Sequence, residues 1–212
     1  MDKPKGDNMP SEKTLNNKPW NEMSLREREY TMIEPQGIQV LLDTVKMAPK
    51  EGIIVIAGTA HGGDAMAIMK KFPDRYLVVV DSFQGVAAPV KKDGPNAPKK
   101  GAHNAHGLDR YKANFKDLKR PLPHEIFKMW ITKKNLKIIG KRKVAMLFMD
   151  LDHYTPVKAC LKTFMPMMVP DGQILTHDWK FILTQGVEKA CEEIAPGCWE
   201  TIRGFGRYKG HK

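Results

Sequence analysis

One stretch of the chain, residues 53–81, limits the fold more than any other part of the sequence. It begins with the apolar run 53–58, continues through a glycine-containing loop, and ends with a second apolar run at residues 76–81. Runs of β-branched residues without polar alternation are typical of parallel strands that are buried on both faces. Between the runs, apolar residues recur at helical spacing over residues 65–72. The stretch therefore predicts a strand, a glycine loop, a helix and a second, parallel strand.

The rest of the chain continues this alternation. Helices are predicted at residues 25–32, 35–49, 156–168 and 184–194, with a shorter one at 108–115, and strands at 126–131, 144–149 and 173–176. Thr155 is the predicted N-cap of its helix with Pro156 at the first helical position, and residues 170–172 predict a turn. Segments 198–202 and 206–209 favour an antiparallel pair at the sheet edge. We therefore predict an α/β fold, a three-layer, doubly wound, mostly parallel Rossmann-like sheet.

The domain organisation follows from composition along the chain. Residues 1–23 are polar and aperiodic and predict a flexible N-terminal arm, with Trp20 as its one packing anchor, before a single domain at 24–212. Residues 86–107 are rich in Ala, Pro, Gly and Lys and follow the carboxyl end of a strand, so we predict a lid loop. We interpret His103 and His106 within it as exposed loop residues and assign them no metal.

Charge and cysteine usage limit the partners and the compartment. A formal net charge of +11 predicts attraction to anionic molecules, although abundant lysine also serves solubility. The three cysteines lack ligand spacing, and we predict that two pack on helices without a disulfide framework. No apolar run reaches transmembrane length and the first residues lack a signal-peptide pattern, so we expect a cytoplasmic protein without a membrane partner.

The glycine spacing favours one cofactor over another. The loop has Gly58 and then Gly62 and Gly63, rather than the tight G-x-G-x-x-G that places a pyrophosphate on a helix N-terminus. The helix opens with Asp64, whose carboxylate would repel a diphosphate. The second strand ends in Asp81, about 20 residues on, where a carboxylate can bind ribose hydroxyls. The pattern fits S-adenosylmethionine, which has a ribose and no phosphate, although a crossover without ligand remains an alternative.

Acidic residues follow two other buried strands. Asp150 and the pair His177–Asp178 come at strand carboxyl ends, which the fold places at the same rim as Gly58 and Asp81. Two carboxylates and an imidazole can hold a divalent cation, which lowers the pKa of a bound hydroxyl. The alternative is that these residues only cap loops. We predict a metal site at Asp150, His177 and Asp178, with Asp152 as a further carboxylate for general-base catalysis.

The chain resembles the macrocin O-methyltransferase family, class I methyltransferases that act on sugar hydroxyls of natural products. The likeness covers residues 29–209. The residues that carry it are Tyr30-Thr31-Met32-Ile33, Gly58 with Gly62-Gly63, Asp81-Ser82-Phe83-Gln84-Gly85, Asn114-Phe115, Asp150-x-Asp152-x-Tyr154, Pro170-Asp171-Gly172 and His177-Asp178-Trp179. The sequence departs from the family at Ile56, where a glutamate is usual, at His177, where an acid is usual, and at Thr155-Pro156-Val157, where the family has Glu-Ser-Thr.

The resemblance implies binding of S-adenosylmethionine and of magnesium at Asp150 and the pair matching His177–Asp178; His177 itself shifts the preference toward manganese, iron or zinc. The expected cofactor-binding residues are Ala57, Gly58, Thr59, His61, Gly62, Gly63, Asp81, Ser82, Phe83 and Trp130. The expected catalytic residues are Asp150 and Asp152. We expect Asp81 on the ribose, with Ser82 and Phe83 near the adenine.

The predicted function is a metal-assisted O-methyltransferase that modifies a hydroxyl of a small molecule of the sugar or natural-product type. The acceptor is expected to be hydroxylated, and a nucleotide-linked acceptor would place its phosphates on the lid lysines. Two alternatives stay open: a nucleic-acid methyltransferase, which the lack of clustered aromatic rings near those lysines disfavours, and a non-catalytic binding module. A homo-oligomer is also left open.

Overall fold

The computed structural model describes residues 23–104 and 106–210. Nearly all of the predicted arm, including Trp20, therefore lies outside the described residues. Seven strands form one sheet: β1 (Ile53–Ala57), β2 (Leu77–Asp81), β3 (Glu125–Lys128), β4 (Val144–Met149), β5 (Met168–Thr176), β6 (Trp199–Ile202) and β7 (Phe205–Tyr208). The α-helices are α1 (Leu25–Arg28), α2 (Pro35–Met47), α3 (Gly63–Lys71), α4 (Leu108–Asp117), α5 (Tyr154–Phe164) and α6 (Gln185–Ile194).

The strand order is β3-β2-β1-β4-β5-β7-β6. The first five strands of this order pair in parallel, whereas β7 pairs antiparallel with both β5 and β6. The chain goes from β1 outward to β3 and then crosses back to β4, so the order reverses between β1 and β4. In open α/β sheets, ligands bind at the carboxyl end of the strands beside such a reversal. The predicted three-layer, mostly parallel fold and its C-terminal antiparallel pair are confirmed.

Side chains of alternate strand residues build a core on each face of the sheet. Ile54 and Ile56 of β1 pack with α2, α3 and α4 on one face, and Val55 and Ala57 pack with α5 and α6 on the other. β4 is buried along its whole length. This explains why its sequence is uninterrupted in apolar residues, since a central parallel strand has no solvent face. Cys160 and Cys191 are buried in the second core, in helices α5 and α6, as predicted.

The start of α5 differs from the prediction. The helix begins at Tyr154 with His153 as its N-cap, and Thr155 makes no capping hydrogen bond. Instead, the buried carboxylate of Asp93 accepts a hydrogen bond from the Tyr154 backbone N–H at 2.6 Å. The predicted cap at Thr155 is therefore wrong, because a residue 61 positions earlier satisfies the first turn.

The predicted turn at residues 170–172 is also wrong, because β5 runs without a break from Met168 to Thr176. The turn-forming residues lie in an irregular part of this strand. Val144 pairs with Met168 but Met146 pairs with Gln173, so β5 has extra residues opposite β4. Asp171 takes a left-handed backbone with φ of 60° inside this bulge. The Pro-Asp-Gly signal thus marks a bulge rather than the start of a strand.

Two elements are shorter than predicted. The predicted helix 25–32 ends at Arg28, and the predicted strand 126–131 is Glu125–Lys128. β3 pairs only with β2, and its last partner is Asp81, the final residue of that strand. Beyond Lys128 the chain has no strand beside it, which is why an apolar sequence alone does not extend the ladder.

Candidate functional site

A cavity of about 320 Å³ opens at the carboxyl ends of β1, β2, β4 and β5. Its walls come from the loops that follow these strands, from residues 30–33 after α1, and from the segment between β2 and α4. Five aspartates line it: Asp64, Asp81, Asp150, Asp152 and Asp178. Among the residues that the structure describes, no lysine or arginine lines it, although the whole chain carries a net charge of +11. The described lining of the cavity is therefore acidic, in contrast to the basic chain as a whole.

The glycine loop brings backbone close to this cavity. Gly62 is the N-cap of α3 in a left-handed conformation with φ of 95°. A Cβ on Gly63 would lie 2.6 Å from the carbonyl oxygen of Tyr30, to which the Gly63 N–H donates a hydrogen bond of 2.9 Å. Gly58 has φ of 80°, and its Cβ would collide with the backbone carbonyl of Asp150. The glycines thus allow the ends of β1 and β4 and the segment after α1 to meet at one point.

The carboxylate of Asp81 holds the glycine loop after β1 and the loop after β2 by hydrogen bonds. One carboxylate oxygen accepts hydrogen bonds from the backbone N–H groups of Thr59 at 2.8 Å and Ala60 at 3.3 Å. The other accepts one from the Phe83 N–H at 2.6 Å. Burial raises the pKa of Asp81, and these three N–H donors partly offset that rise. Since two carboxylate oxygens offer about four lone-pair sites, Asp81 keeps acceptor capacity for a ligand that lies between the two loops.

A second buried carboxylate lies beside the glycine loop. Asp64, at the start of α3, is only 4% exposed. Its Oδ1 accepts hydrogen bonds from the Thr59 hydroxyl at 2.5 Å and from the Ala65 N–H at 2.7 Å. Its Oδ2 is buried and has no hydrogen-bond partner among the described residues. Burial raises the pKa of Asp64 to about 7, and Asp150 and Asp81 add to that rise.

The predicted metal ligands meet at the far end of the cavity. The ligand atoms of Asp150, His177 and Asp178 lie within 4.8 Å of one another. The Nδ1 atom of His177 lies 3.2 Å from a carboxylate oxygen of each aspartate. Burial lowers the pKa of His177, but the two carboxylates outweigh it and raise the pKa to about 11. The imidazole therefore carries a proton between the two carboxylates when no cation is bound there.

Asp152 is the third carboxylate of this group. Its backbone is left-handed with φ of 58°, which turns the chain sharply between β4 and α5. Burial raises its pKa to about 8, with further contributions from Asp150 and Asp178. A group with a pKa near neutral pH is well suited to accept a proton in catalysis. For Asp178 the charge and hydrogen bond of His177 outweigh burial, so that its pKa lies below its usual range.

The remaining walls are largely apolar. Phe83 is buried and packs edge-on against Tyr111 at a centroid distance of 5.1 Å. Trp130 forms part of the wall after β3, and the Lys100 ammonium lies 5.9 Å from the centroid of its ring. At the mouth, Met32, Phe181 and Leu183 line the cavity and remain 60%, 50% and 39% exposed. A ligand that fills the mouth can bury these side chains.

The predicted lid loop packs over one side of the cavity through its segment 86–104. Val86 and Ala102 are joined by a backbone hydrogen bond of 2.9 Å. Lys92 forms an ion pair with Glu193 at 2.7 Å and a hydrogen bond with the Tyr154 hydroxyl at 2.8 Å. These contacts, with the Asp93 bond to α5, attach the segment to α5 and α6. Whether it opens as a lid stays a prediction.

The structure brings most of the predicted site residues to the cavity and leaves some outside it. Gly58, Thr59, Asp81, Ser82, Phe83, Trp130 and all of the predicted metal and catalytic residues line it. Ala57, Gly62 and Gly63 are not among its lining residues. His61 lines a separate shallow pocket with Glu29, Tyr30, His106 and Arg110. None of the predicted lid lysines lines the cavity, and only Lys100, over Trp130, is placed near its wall.

Sequence reasoning missed several cavity residues. His103 lines the wall from the lid segment, and Phe181 and Leu183 line the mouth. The signal for the last two was present, since an apolar Phe-Ile-Leu run between a strand end and a helix is unusual in a loop. Asp64 was considered only as a charge that excludes a diphosphate. Its missing partner depends on how Thr59 and Tyr111 pack around it, which sequence does not specify.

The comparison with protein families assigns the chain. A family model described as a methyltransferase domain matches residues 55–179, which is more than half of the chain. The chain belongs to the methyltransferase domain family. The match covers β1 to β5 and the residue after Asp178, so it includes the glycine loop, Asp81 and the predicted metal ligands. No curated protein matches the chain significantly.

Solved structures share the fold of this methyltransferase. CalS11, described as a calicheamicin methyltransferase, is 16% identical with a TM-score of 0.63, over 95% of this chain and 86% of that chain. The O-methyltransferase NovP is 22% identical with a TM-score of 0.67, over 84% of this chain and 81% of that chain. TomG from Streptomyces achromogenes, an O-methyltransferase solved with S-adenosylmethionine, is 13% identical with a TM-score of 0.52, over 90% and 86%. At these identities the likeness concerns the fold.

The enzyme is therefore a methyltransferase, as the sequence predicted. The broader part of the predicted family resemblance is confirmed, whereas membership of the macrocin O-methyltransferase family itself stays a prediction. Within the described residues, none of the helices is long and apolar enough to cross a membrane.

Proposed function

We propose that the enzyme transfers a methyl group from S-adenosylmethionine to a hydroxyl of a small molecule, with the help of a divalent cation. The observation that carries the proposal is the charge of the cavity. Its described lining has five aspartates and no lysine or arginine, beside a glycine loop and at the carboxyl ends of the strands. This lining suits a cofactor that carries a sulfonium and an ammonium group. Among the described residues it offers no lysine or arginine for the pyrophosphate of a dinucleotide.

The cofactor would lie between the glycine loop and the loop after β2. Asp81 is placed to accept hydrogen bonds from the ribose hydroxyls while its three backbone donors hold its orientation. Phe83 and Ser82 form the adjacent wall and would contact the adenine. The rigid packing of Phe83 against Tyr111 keeps that wall in place before the ligand arrives.

The residues at the other end fit a divalent cation. Asp150, His177 and Asp178 offer two carboxylates and one imidazole within bonding reach of a common point, with open positions for acceptor oxygens. This mixed donor set favours manganese, iron or zinc more than an all-oxygen set would, although magnesium remains the first expectation from the family resemblance. In the metal-free enzyme the His177 proton offsets the charge of the two aspartates, so the cation would take over this role.

In the proposed reaction the cofactor supplies the electrophilic methyl group and the cation lowers the pKa of the acceptor hydroxyl. Asp150 would orient that hydroxyl from the end of β4. Asp152, with its pKa near 8, would accept the proton and would then donate it in a hydrogen bond to the neighbouring carboxylate of Asp178. Trp130, Leu151 and the lid segment exclude water from one side, so that the acceptor oxygen meets the methyl carbon rather than solvent.

The side chains at the mouth of the cavity indicate the chemical class of the methyl acceptor. Met32, Phe181 and Leu183 offer exposed apolar surface, so we expect an acceptor with an apolar part next to its hydroxyl, as in a sugar-bearing natural product. A nucleotide-linked acceptor would depend on Lys100 for its phosphates, because Lys92 is already bound to Glu193. The lining gives no support to the nucleic-acid alternative.

A transfer assay with labelled S-adenosylmethionine tests the proposal. The acceptors are a phenolic natural product, an uncharged glycoside and a nucleotide-linked sugar, each with and without EDTA. We expect a methyl ether product with at least one hydroxyl acceptor, loss of transfer in EDTA, and recovery after manganese or magnesium is added back. Asp150→Asn should abolish transfer, and the exposed Asp171→Asn is the matched control. Full transfer in chelator would overturn the metal role, and methylation of amines alone would overturn the hydroxyl acceptor.

A further inference from the structure

One oxygen of the buried Asp64 carboxylate takes no part in the hydrogen bonds that hold the fold together. Its Oδ1 is satisfied by Thr59 and Ala65, whereas its Oδ2 has no hydrogen-bond partner within residues 23–104 and 106–210. The residue is 4% exposed and is one of those that line the cavity, while Oδ2 itself is buried just behind that surface. Such a carboxylate is costly to bury and is normally paired with a cation or hydrogen-bond donors.

No described group of the protein supplies the missing positive charge. The groups that act on Asp64 are Thr59, Ala65 and two further carboxylates, Asp81 and Asp150. The α3 N-terminus favours a negative charge there, but its effect is small compared with the cost of an unpaired buried carboxylate. In the ligand-free enzyme a proton takes this place, as the raised pKa of Asp64 indicates, and a cationic group of a ligand would replace it.

The position of Asp64 in the sheet shows which part of the ligand it meets. Ile56, near the end of β1, points to the face of the sheet that carries α3 and is fully buried in its core. The strand thus provides no charged side chain on this face, and α3 provides one through Asp64. Asp81 and Phe83 follow β2 on the neighbouring side, where the nucleoside is proposed to lie. Asp64 follows the glycine pair directly and lines the same cavity, so we expect the opposite portion of the cofactor to lie beside it.

We propose that Asp64 binds the α-ammonium group of the cofactor's methionine tail through Oδ2. An ammonium group offers three N–H donors as well as charge, whereas a sulfonium has no N–H to satisfy the free oxygen. The inference rests on the proposed use of S-adenosylmethionine and assigns a specific partner within that site. Asp64 would then make the enzyme selective for the complete cofactor over analogues that lack the amino group.

Calorimetry with three ligands on the full-length protein tests this. The ligands are S-adenosylhomocysteine, its decarboxylated analogue that keeps the amine, and its deaminated analogue that keeps the carboxylate. Asp64→Asn keeps the Oδ1 acceptor and the shape of the side chain while it removes the charge. We expect this variant to bind S-adenosylhomocysteine and the amine analogue about tenfold more weakly or worse. Its affinity for the deaminated analogue should stay within about twofold of the wild-type value.

The exposed Asp43→Asn in α2 is the matched control, since it removes one negative charge away from the cavity. Retained binding of the deaminated analogue also shows that the Asp64→Asn variant is folded. The inference is overturned if Asp64→Asn binds S-adenosylhomocysteine as tightly as the wild type does. It is also overturned if the loss falls equally on all three ligands or mainly on the deaminated acid. If the wild type binds none of the three, the proposed function itself fails, which is a distinct result.

Discussion

Replacing Asp64 by asparagine is expected to stabilise the ligand-free enzyme while it weakens cofactor binding. In the folded state burial holds the pKa of Asp64 at about 7, against 3.8 for an ordinary aspartate. A raised carboxyl pKa means that the neutral form is favoured in the fold. The folded state therefore suffers no penalty from Asp64 at low pH, and it loses stability as the pH rises from about 4 to about 7.

The size of the effect follows from the shift. Raising the pKa from 3.8 to about 7 corresponds to about 4 kcal/mol at full ionisation, since one pKa unit is worth about 1.4 kcal/mol. At about pH 5, Asp64 already lowers the free energy of unfolding by roughly 1.5 kcal/mol. Between about pH 5 and about pH 8 it lowers that free energy by about 2.5 kcal/mol more, which is the remainder. The asparagine keeps the hydrogen bonds that Oδ1 accepts from Thr59 and Ala65, and it removes the charge.

Urea unfolding at about pH 5 and about pH 8, followed by tryptophan fluorescence, measures the difference between variant and wild type. Buried Trp179 and Trp199 report on the unfolding. We expect the free-energy advantage of Asp64→Asn over the wild type to grow by about 2 to 3 kcal/mol between the two conditions. Asp43→Asn should show no such growth. An advantage that is the same at both pH values would refute the reasoning that Asp64 is a buried carboxylate without a counter-charge.

Three further perturbations follow from the site. Gly58→Ala should lower the free energy of unfolding by more than about 3 kcal/mol and abolish binding of S-adenosylhomocysteine, because the new Cβ meets the Asp150 carbonyl. The control is Gly140→Ala, where φ is 73° and the space around the Cβ is open, so that only backbone strain is added. It should lower the free energy of urea unfolding by about 1 kcal/mol. Asp93→Asn should lower the free energy of unfolding by about 1 to 3 kcal/mol and speed hydrogen exchange at the start of α5, because the Tyr154 N–H loses its carboxylate acceptor. Unchanged hydrogen exchange, measured by mass spectrometry, would contradict this. Asp150→Asn should remove methyl transfer while calorimetry finds S-adenosylhomocysteine affinity within about twofold of wild type, and a parallel loss of both would instead make Asp150 a cofactor residue.

The sequence was most informative where one strong local pattern decided the structure. β1, β2 and β4 were predicted nearly to the residue, because a strand buried on both faces needs an uninterrupted apolar run. Since parallel strands share an edge, Asp150, His177 and Asp178 could be placed together before any distance was known. Their carboxylate and imidazole atoms do meet at the predicted rim.

Prediction failed where a distant residue decided the local structure. Thr155 is of a residue type that is common at N-caps, but Asp93 reaches the start of α5 from the lid segment and the helix begins two residues earlier than predicted. His61 belongs to the glycine loop in sequence, yet the sharp turn at Gly62 faces it away from the cavity. Asp64 matters because its Oδ2 has no hydrogen-bond partner among the described residues. Whether a buried oxygen finds a partner depends on how the side chains around it pack, which the sequence pattern does not specify.

A crystal of the enzyme soaked with S-adenosylhomocysteine and manganese tests the central claim most directly. We predict the nucleoside between the glycine loop and Phe83, with its ribose hydroxyls on Asp81. The amino group should lie on Asp64, and an anomalous manganese peak should lie among Asp150, His177 and Asp178. S-adenosylhomocysteine bound elsewhere, or absent from the cavity at saturating concentration, would contradict the account. A manganese peak away from these three residues would limit the contradiction to the metal.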